Sequence, residues 1–241
     1  MIFHSKRSTL KYEIDLQINA QPIERVKNFI FLGLTLDETL SWKTHIQDVS
    51  NKISKTIGIL NRLKNVLPGN ILKLIYSSLV LPRIYYCNLA WGHNPGRIIK
   101  LQKKAIRIIS NSKYNAHTEP LFKKMKLLTV ADIHKLCKLK LFYKLENNTL
   151  PPYFWHYMFS ANRTNKTRNK DPYQQMVPKT VIFSDSIRFS LPILLRNTPP
   201  LIKSKAQTHS YNGYTQYIKK YMIEKYRETC ITPRCYICAR K

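Results

Sequence analysis

Three segments between residues 41 and 110 repeat apolar residues every three or four positions, which is the spacing of one helix face. The first follows Ser41, a residue type that caps helix N-termini, and ends at Pro68-Gly69. Asn94-Pro95-Gly96 separates the second from the third. The chain has 6 glycines and 13 prolines, mostly at segment ends, which favours helices separated by turns over a many-stranded barrel. The sequence therefore predicts a helical bundle here.

The residues before this bundle follow a different pattern. Residues 13–18 alternate polar and apolar side chains, as a half-buried strand does, and Asn19-Ala20 then predict a turn. A second extended stretch follows, and a third runs from Phe29 to Leu36 before turn residues Asp37 and Glu38. We therefore expect an α+β fold that is mostly α, with a small N-terminal antiparallel sheet, a helical bundle and a loosely ordered basic C-terminal region.

The second half of the chain predicts helices separated by a polar segment. Thr129-Val130-Ala131-Asp132 resembles a capping box and predicts the start of a long helix. Residues 160–171 are polar and basic, which is typical of an exposed, mobile loop at a boundary. Residues 181–189 are expected to be extended, and residues 214–228 to be helical. The predicted domains are a β segment at 1–40, a helical domain at 41–159 and a basic C-terminal region at 160–241.

Charge is distributed unevenly along the chain. Between Asp48 and Glu119 there are 12 lysines and arginines and no carboxylate, whereas residues 1–48 are neutral overall and residues 119–241 carry a net charge of +16. Positive charges at this density repel one another unless a polyanion neutralises them. A phosphate backbone supplies negative charges at regular spacing. We therefore expect RNA, DNA or an RNA–DNA hybrid as the partner.

The cations of the first and third predicted helices fall beside or opposite the apolar stripes. At about 100° per residue, the cations of each helix lie together on one side of that helix. The predicted phosphate contacts are Lys52, Lys55, Arg62, Arg97, Lys100, Lys104 and Arg107. The alternative is that these are ordinary solvated faces, but such faces usually mix charges of both signs.

The five cysteines indicate the cellular compartment of the protein and include one candidate zinc site. Cys87 and Cys137 lie in apolar helical patterns, which predicts buried free thiols and a reducing, intracellular location, either nucleus or cytoplasm. Cys230, Cys235 and Cys238 include the C-x2-C step that suits zinc. No fourth ligand is evident, and a disordered tail is the alternative. No apolar run approaches the roughly 20 residues of a membrane span, so no transmembrane segment is predicted.

Several strings resemble, in order, the region downstream of the catalytic palm in reverse transcriptases of LINE-type, non-LTR retrotransposons. They are Phe31-Leu32-Gly33 with Asp37, Trp42 and His45; Tyr86-Cys87 with Trp91-Gly92; residues 101–109, LQKKAIRII; Ala116-His117-Thr118 with Pro120-Leu121-Phe122; and residues 150–154, LPPYF. The resemblance covers about residues 24–155. It implies a primer-grip hairpin at Phe31-Leu32-Gly33, then a thumb and a connector, with residues 1–12 as the last edge of a palm.

The resemblance adds candidate contacts to nucleic acid but no catalytic group. It adds Phe31, Leu32, Gly33, Trp42 and His45, although Trp42 is also explained as a packing anchor. The family holds two metal ions at a Tyr-x-Asp-Asp turn, and this sequence has no such string. We therefore expect no cofactor here, because Mg²⁺ would belong to an upstream palm.

The resulting expectation is a non-catalytic fragment of an RNA-directed DNA polymerase that binds duplex or hybrid without sequence preference. Two alternatives remain. One is a module that binds a protein or an anionic membrane, and the other is the product of a degraded element without selected function.

Overall fold

A computed structural model describes residues 1–4, 16–159, 178 and 180–228, without the side chains of residues 155–157 and 159. Within these residues the chain is mostly helical, with short antiparallel strands at the N-terminal end followed by helices. The predicted fold class is confirmed.

The strands form two separate antiparallel hairpins: β1 (Gln17–Ile18) with β2 (Gln21–Pro22), and β3 (Asn28–Phe31) with β4 (Leu34–Asp37). Both hairpins turn through two residues with positive φ, Asn19-Ala20 and Leu32-Gly33. This is the pattern of a type I′ turn, whose twist matches the twist of the paired strands. The prediction of one continuous strand from Phe29 to Leu36 was therefore wrong, because the chain reverses at Leu32-Gly33.

The helices of the described residues are α1 (Lys43–Leu63), α2 (Gly69–Leu79), α3 (Leu81–Tyr85), α4 (Asn88–Trp91), α5 (Arg97–Ile109), α6 (Glu119–Met125), α7 (Val130–Glu146), α8 (Pro152–Phe159), α9 (Val181–Asp185), α10 (Ile187–Arg196), α11 (Pro200–Thr208) and α12 (Tyr211–Glu224). Thr129 caps α7 as the sequence predicted, since its hydroxyl accepts the Asp132 N–H at 3.2 Å.

Asp37 joins the second hairpin to α1. Its carboxylate accepts backbone N–H groups of Thr39, Ser41 and Trp42, each at 3.0 Å. Burial alone would raise the pKa of Asp37, but the hydrogen bonds from Thr39 and Ser41 outweigh it and hold the pKa below its ordinary value. The prediction that Ser41 caps α1 was therefore wrong, because Ser41 is bound to Asp37. The helix begins at Lys43.

One hydrophobic core runs through the described residues. Its N-terminal part lies where α1 packs on α5 and α2, and it includes the fully buried Trp91, as predicted. Cys87 was predicted to be buried, but it is exposed, because a φ of 46° turns the chain at this residue, just before α4. Cys137 is half-buried, and burial raises the pKa of its thiol to about 11.

The helices on both sides of the predicted boundary at residue 160 contribute to this core, because α10, α11 and α12 all pack on α7. Residues 181–189 were predicted to be extended, but they form α9 and the start of α10. Thr180 and Ser186 cap these helices by accepting the N–H groups of Phe183 and Phe189. The four helices α9 to α12 therefore order most of residues 181–224 more than the sequence predicted, whereas the helix predicted from residue 214 is confirmed by α12.

Some predictions fall outside the described residues. These are the first part of the strand at residues 13–18, the loop at residues 160–171, and the cluster Cys230, Cys235 and Cys238. In the part of the chain that is described, none of the helices combines the length and the apolar character needed to cross a bilayer.

Candidate nucleic-acid interface

Gln102 fixes the rotation of α5 about its axis. Its buried side chain donates to the hydroxyl of Tyr76 and to the carbonyl of Leu128, both at 3.0 Å, and accepts the N–H of Val130 at 2.9 Å. Ile98 and Ile106 flank it on the same buried face. Since these bonds reach α2 and the start of α7, α5 cannot rotate without breaking them. The opposite face of α5 is thereby held toward solvent.

That solvent face carries the predicted row of cations. Arg97, Lys100 and Lys104 are exposed, and all three fall on the side of α5 away from Gln102 at about 100° per residue. Lys103, which we had not included among the candidate contacts, is exposed beside them. We call Arg97, Lys100 and Lys104 the α5 row.

Arg107 belongs to the same arc but has a structural partner. Its Nε donates to the carbonyl oxygen of Ala116 at 2.8 Å, and the side chain is half-buried. Desolvation by burial lowers the pKa of Arg107. The guanidinium therefore holds the loop between α5 and α6, and we do not include it in the α5 row.

The cations of α1 also point away from the apolar face of their helix. Lys52, Lys55 and Arg62 are exposed, and Ile59, between Lys55 and Arg62, is 48 % exposed. The backbone carbonyl of Lys52 accepts Arg83 Nη1 at 3.0 Å, which fastens α3 to α1 at this point. The exposed cations of α1 and the α5 row thus lie on the outward faces of two packed helices. This arrangement gives two basic surfaces and not a single groove.

In the described parts of the chain, no ion pair is formed by the six exposed cations Lys52, Lys55, Arg62, Arg97, Lys100 and Lys104. On α5 the neighbours three and four residues apart are like charges, each pair of which destabilises a helix by about 0.2–0.5 kcal/mol. The first turn of α5 also lacks an acidic residue to complement the helix dipole. Anions that bind along α5 would relieve both effects.

The hairpin tip at Phe31, Leu32 and Gly33 is an exposed apolar surface. Leu32 is 74 % exposed and Phe31 55 %. The hydroxyl of Tyr86 donates to the carbonyl of Leu32, and a Cβ added at Gly33 would lie 3.6 Å from the hydroxyl oxygen of Tyr86 and 3.7 Å from its ring. Tyr86, named in the sequence analysis only as part of the resemblance, therefore holds the backbone of the tip. The side chains of Phe31 and Leu32 remain exposed to solvent.

Trp42 and His45 differ from the other candidates because they pack inward. His45 is 4 % exposed and lies between Trp42 and Trp91, at ring-centroid distances of 6.4 and 5.8 Å. Its Nδ1 accepts the N–H of Thr35 at 3.3 Å, and burial lowers the pKa of His45. Trp42 is half-buried against the same core. We therefore assign Trp42 and His45 to packing and remove His45 from the candidate interface.

Sequence reasoning overlooked Gln102, although its position is informative. Gln102 falls on the apolar stripe of its helix, between Ile98 and Ile106, where a polar side chain is buried and needs hydrogen-bond partners. A polar residue on an otherwise apolar stripe was therefore the signal that could have found it.

No group of three or more His, Cys, Asp or Glu side chains that could hold a metal ion occurs among the residues that the structure describes. Comparisons with models of protein families, with curated proteins and with solved structures found no match. The resemblance to reverse transcriptases therefore rests on the sequence strings alone.

Proposed function

We propose that this chain binds nucleic-acid duplex or hybrid without sequence preference, as a non-catalytic part of an RNA-directed DNA polymerase of the LINE type. The observation that carries the proposal is the α5 row, which is exposed, forms no ion pair with any residue that the structure describes, and is held outward by Gln102. The exposed cations of α1 add a second basic surface. Phosphate contacts of this kind fix a protein on a duplex and carry no sequence information.

The resemblance gives this binding a place in a larger reaction. A hairpin with an exposed tip at Phe31-Leu32-Gly33 precedes the helices, in the order that the resemblance implies for a primer grip and a thumb. Because the sequence has no Tyr-x-Asp-Asp string, we assign polymerisation to a separate palm and binding to this chain.

A salt titration of duplex binding tests the proposal. If about six cations contact phosphates, log K should fall against log salt with a slope of roughly −5. Replacing Arg97, Lys100 and Lys104 together by Gln should change the slope to about −3 and weaken binding about 100-fold or more near 0.1 M salt. Fluorescence anisotropy with a labelled duplex of mixed sequence measures both, and circular dichroism checks that helicity is retained.

The matched control removes three exposed lysines from elsewhere in the described residues, as Lys124→Gln, Lys144→Gln and Lys219→Gln. It lowers the net charge equally, so its effect should be several-fold smaller. Equal losses in the two triple variants would show that only net charge matters. Unchanged binding in the α5 variant would show that α5 is not the contact surface.

An interaction module is the second candidate, and the hairpin tip favours it. Phe29, Ile30, Phe31 and Leu32 are each more than half exposed, which is typical of a surface that another molecule covers. Binding to anionic liposomes that is stronger than duplex binding at matched salt would support this candidate. Loss of liposome binding in Ile30→Ser with Leu32→Ser, but not in the α5 variant, would place the contact at the tip.

A further inference from the structure

A cavity of about 460 Å³ lies between the turn after α4, the first half of α7 and the helices α9 and α10, and no residue of the α5 row lines it. Its volume is in the range of small-molecule sites. His134 and Lys138 line it from α7, one helical turn apart, and Phe189 and Leu194 line it from α10. The cavity therefore combines polar groups on one wall with apolar side chains on the other.

Lys138 places a positive charge in this cavity. The residue is 8 % exposed, and no hydrogen bond or ion pair of its ammonium group occurs among the residues described here. Desolvation and the nearby charge of Lys135 lower the pKa of Lys138 to about 8, so the group is mostly protonated at neutral pH. A buried ammonium without a counter-ion is costly, and an anion in the cavity would stabilise it.

His134 places a hydrogen-bond acceptor beside that charge. Its Nδ1 lies 3.0 Å from Asn88 Oδ1 and 3.2 Å from the Asn88 carbonyl oxygen. The Asn88 side-chain amide donates to Ile84 O at 2.9 Å, which fixes the orientation of Oδ1. Because both neighbours of Nδ1 are acceptors, Nδ1 carries the proton and Nε2 keeps a lone pair. Burial lowers the pKa of His134 to about 4, and Nε2 has no partner within the described residues.

The remaining polar groups of the cavity divide into paired and unpaired ones. Lys135 Nζ lies 3.1 Å from Asp132 Oδ1, and His93 Nε2 lies 3.5 Å from Asp185 Oδ2, so both nearby carboxylates already have partners. The buried Ser190 Oγ has no hydrogen-bond partner among the described residues. Its hydroxyl can donate to an anion or accept from it.

The geometry points to a binding site for an organic phosphate monoester, with the phosphate at Lys138, Ser190 and His134 and the organic group against Phe189 and Leu194. Lys138 and Ser190 donate to phosphate oxygens, and one proton lies between a phosphate oxygen and His134 Nε2. The second pKa of a phosphate monoester is near 6, so at pH 7 most of the ligand must take up that proton on binding. A carboxylate has a pKa of about 4, so it takes up such a proton about 100-fold less readily, and we therefore infer phosphate rather than carboxylate. The site does not depend on the function proposed above.

Isothermal titration calorimetry with phenyl phosphate tests the site at constant ionic strength and pH 7, in two buffers of different ionisation enthalpy. We expect saturable binding by the full chain, with net proton uptake approaching one. Lys138→Met should weaken binding about tenfold or more, because it removes a charge-assisted hydrogen bond in a desolvated site. His134→Gln should remove the proton uptake, and the control Lys144→Met, on the exposed side of α7, should match the unsubstituted protein.

Additional probes define the ligand. Inorganic phosphate should bind more weakly than phenyl phosphate, and benzoate more weakly still. A dinucleotide with a 5′-phosphate that binds better than phenyl phosphate would identify a nucleic-acid end as the source of the phosphate, whereas weaker binding would identify a free metabolite. Both results support the phosphate site.

Three results would overturn the site: no saturable binding by the unsubstituted chain, benzoate binding as tight as that of phenyl phosphate, or unchanged binding by a natively folded Lys138→Met. Ser190→Val removes a second polar group and should also weaken binding, so the test does not depend on one variant. The triple α5 variant should bind phenyl phosphate normally, which separates failure of this site from failure of the proposed duplex binding.

Discussion

The helices α5 and α7 are both rich in lysine and arginine, but they use these residues differently. α5 has one buried face, and its charged side chains lie on the other, without carboxylate partners among the described residues. α7 is packed by α4, α10, α11 and α12, so its lysines have different surroundings: Lys135 and Lys144 are exposed, whereas Lys138 is buried. Lys135 pairs with Asp132, Lys140 lies 5.1 Å from the ring centroid of Tyr211, and Lys138 is buried at the cavity.

The difference shows that the surroundings of a cation decide its role more than its position in a helical pattern does. On α5 the exposed cations form no ion pair among the described residues, and this absence is why we propose a polyanion as their partner. On α7, Lys135 pairs within the helix, Lys140 and Lys144 lie near the ring of Tyr211, and Lys138 is buried with no ion pair among the described residues. Lysine thus contributes to an exposed row on α5 and lines a cavity on α7, and the buried side chain of Gln102 links the two helices through the N–H of Val130.

The largest expected effect comes from breaking that connection. In Gln102→Leu, the hydroxyl of Tyr76, the carbonyl of Leu128 and the N–H of Val130 lose their partner inside the core. We expect the free energy of unfolding to fall by about 3 kcal/mol, because unsatisfied buried polar groups cost about 1–3 kcal/mol each and partly relax. Urea denaturation followed by circular dichroism measures this.

The matched control for this change is Gln216→Leu, at an exposed position of α12. It should change the stability by less than about 0.5 kcal/mol. A Gln102→Leu variant as stable as this control would show that α5 and α7 do not depend on the shared amide.

The next effect concerns Lys138, because burial lowers its pKa in the folded protein to about 8 from the ordinary lysine value of 10.5. Between these two values the unfolded chain binds more protons than the folded protein. The buried charge of Lys138 therefore destabilises the protein below about pH 8, and this destabilisation disappears as the pH rises from about 8 to 10.5. Lys138→Met should therefore be more stable than the unsubstituted protein at pH 7, by at most about 3 kcal/mol, and this advantage should disappear toward pH 10.

Thermal denaturation of both proteins at several pH values, without phosphate in the buffer, checks the Lys138 prediction. Comparing the two at each pH cancels the titration of the other groups that they share. A stability difference that does not vary with pH would mean that the ammonium is solvated and not buried.

The smallest effect separates two neighbouring cations of α5. Arg107→Gln removes the bond to the carbonyl oxygen of Ala116 and should cost about 1 kcal/mol, since the half-buried guanidinium is partly screened. Lys104→Gln removes like-charge repulsion and should stabilise by about 0.5 kcal/mol or less. Urea denaturation at low salt resolves the opposite signs, and equal effects would show that Arg107 is not held by the loop.

Several elements could be read from local sequence because their causes are local. The apolar stripe of α5 and its cations follow from spacing along one helix, and the cap of α7 at Thr129 follows from residues within one turn. The errors have non-local causes. Residues 181–189 look extended by composition, but their helices form where Leu191 and Leu195 can be buried in the shared core. His45 was a candidate contact through the resemblance alone, and only the tertiary structure shows it buried between Trp42 and Trp91.

By itself the sequence determined the helical character of the chain, the excess of positive charge and its placement on one side of α5, because these depend on residue order within single helices. Only the tertiary structure decided that α7 is surrounded, that Lys138 and His134 face a cavity, and that Arg107 holds a loop. The physical reason is that burial and pairing depend on which distant segments meet. Packing brings His134 to Asn88 and places His134 and Ser190 around one cavity, and no spacing along the chain indicates either.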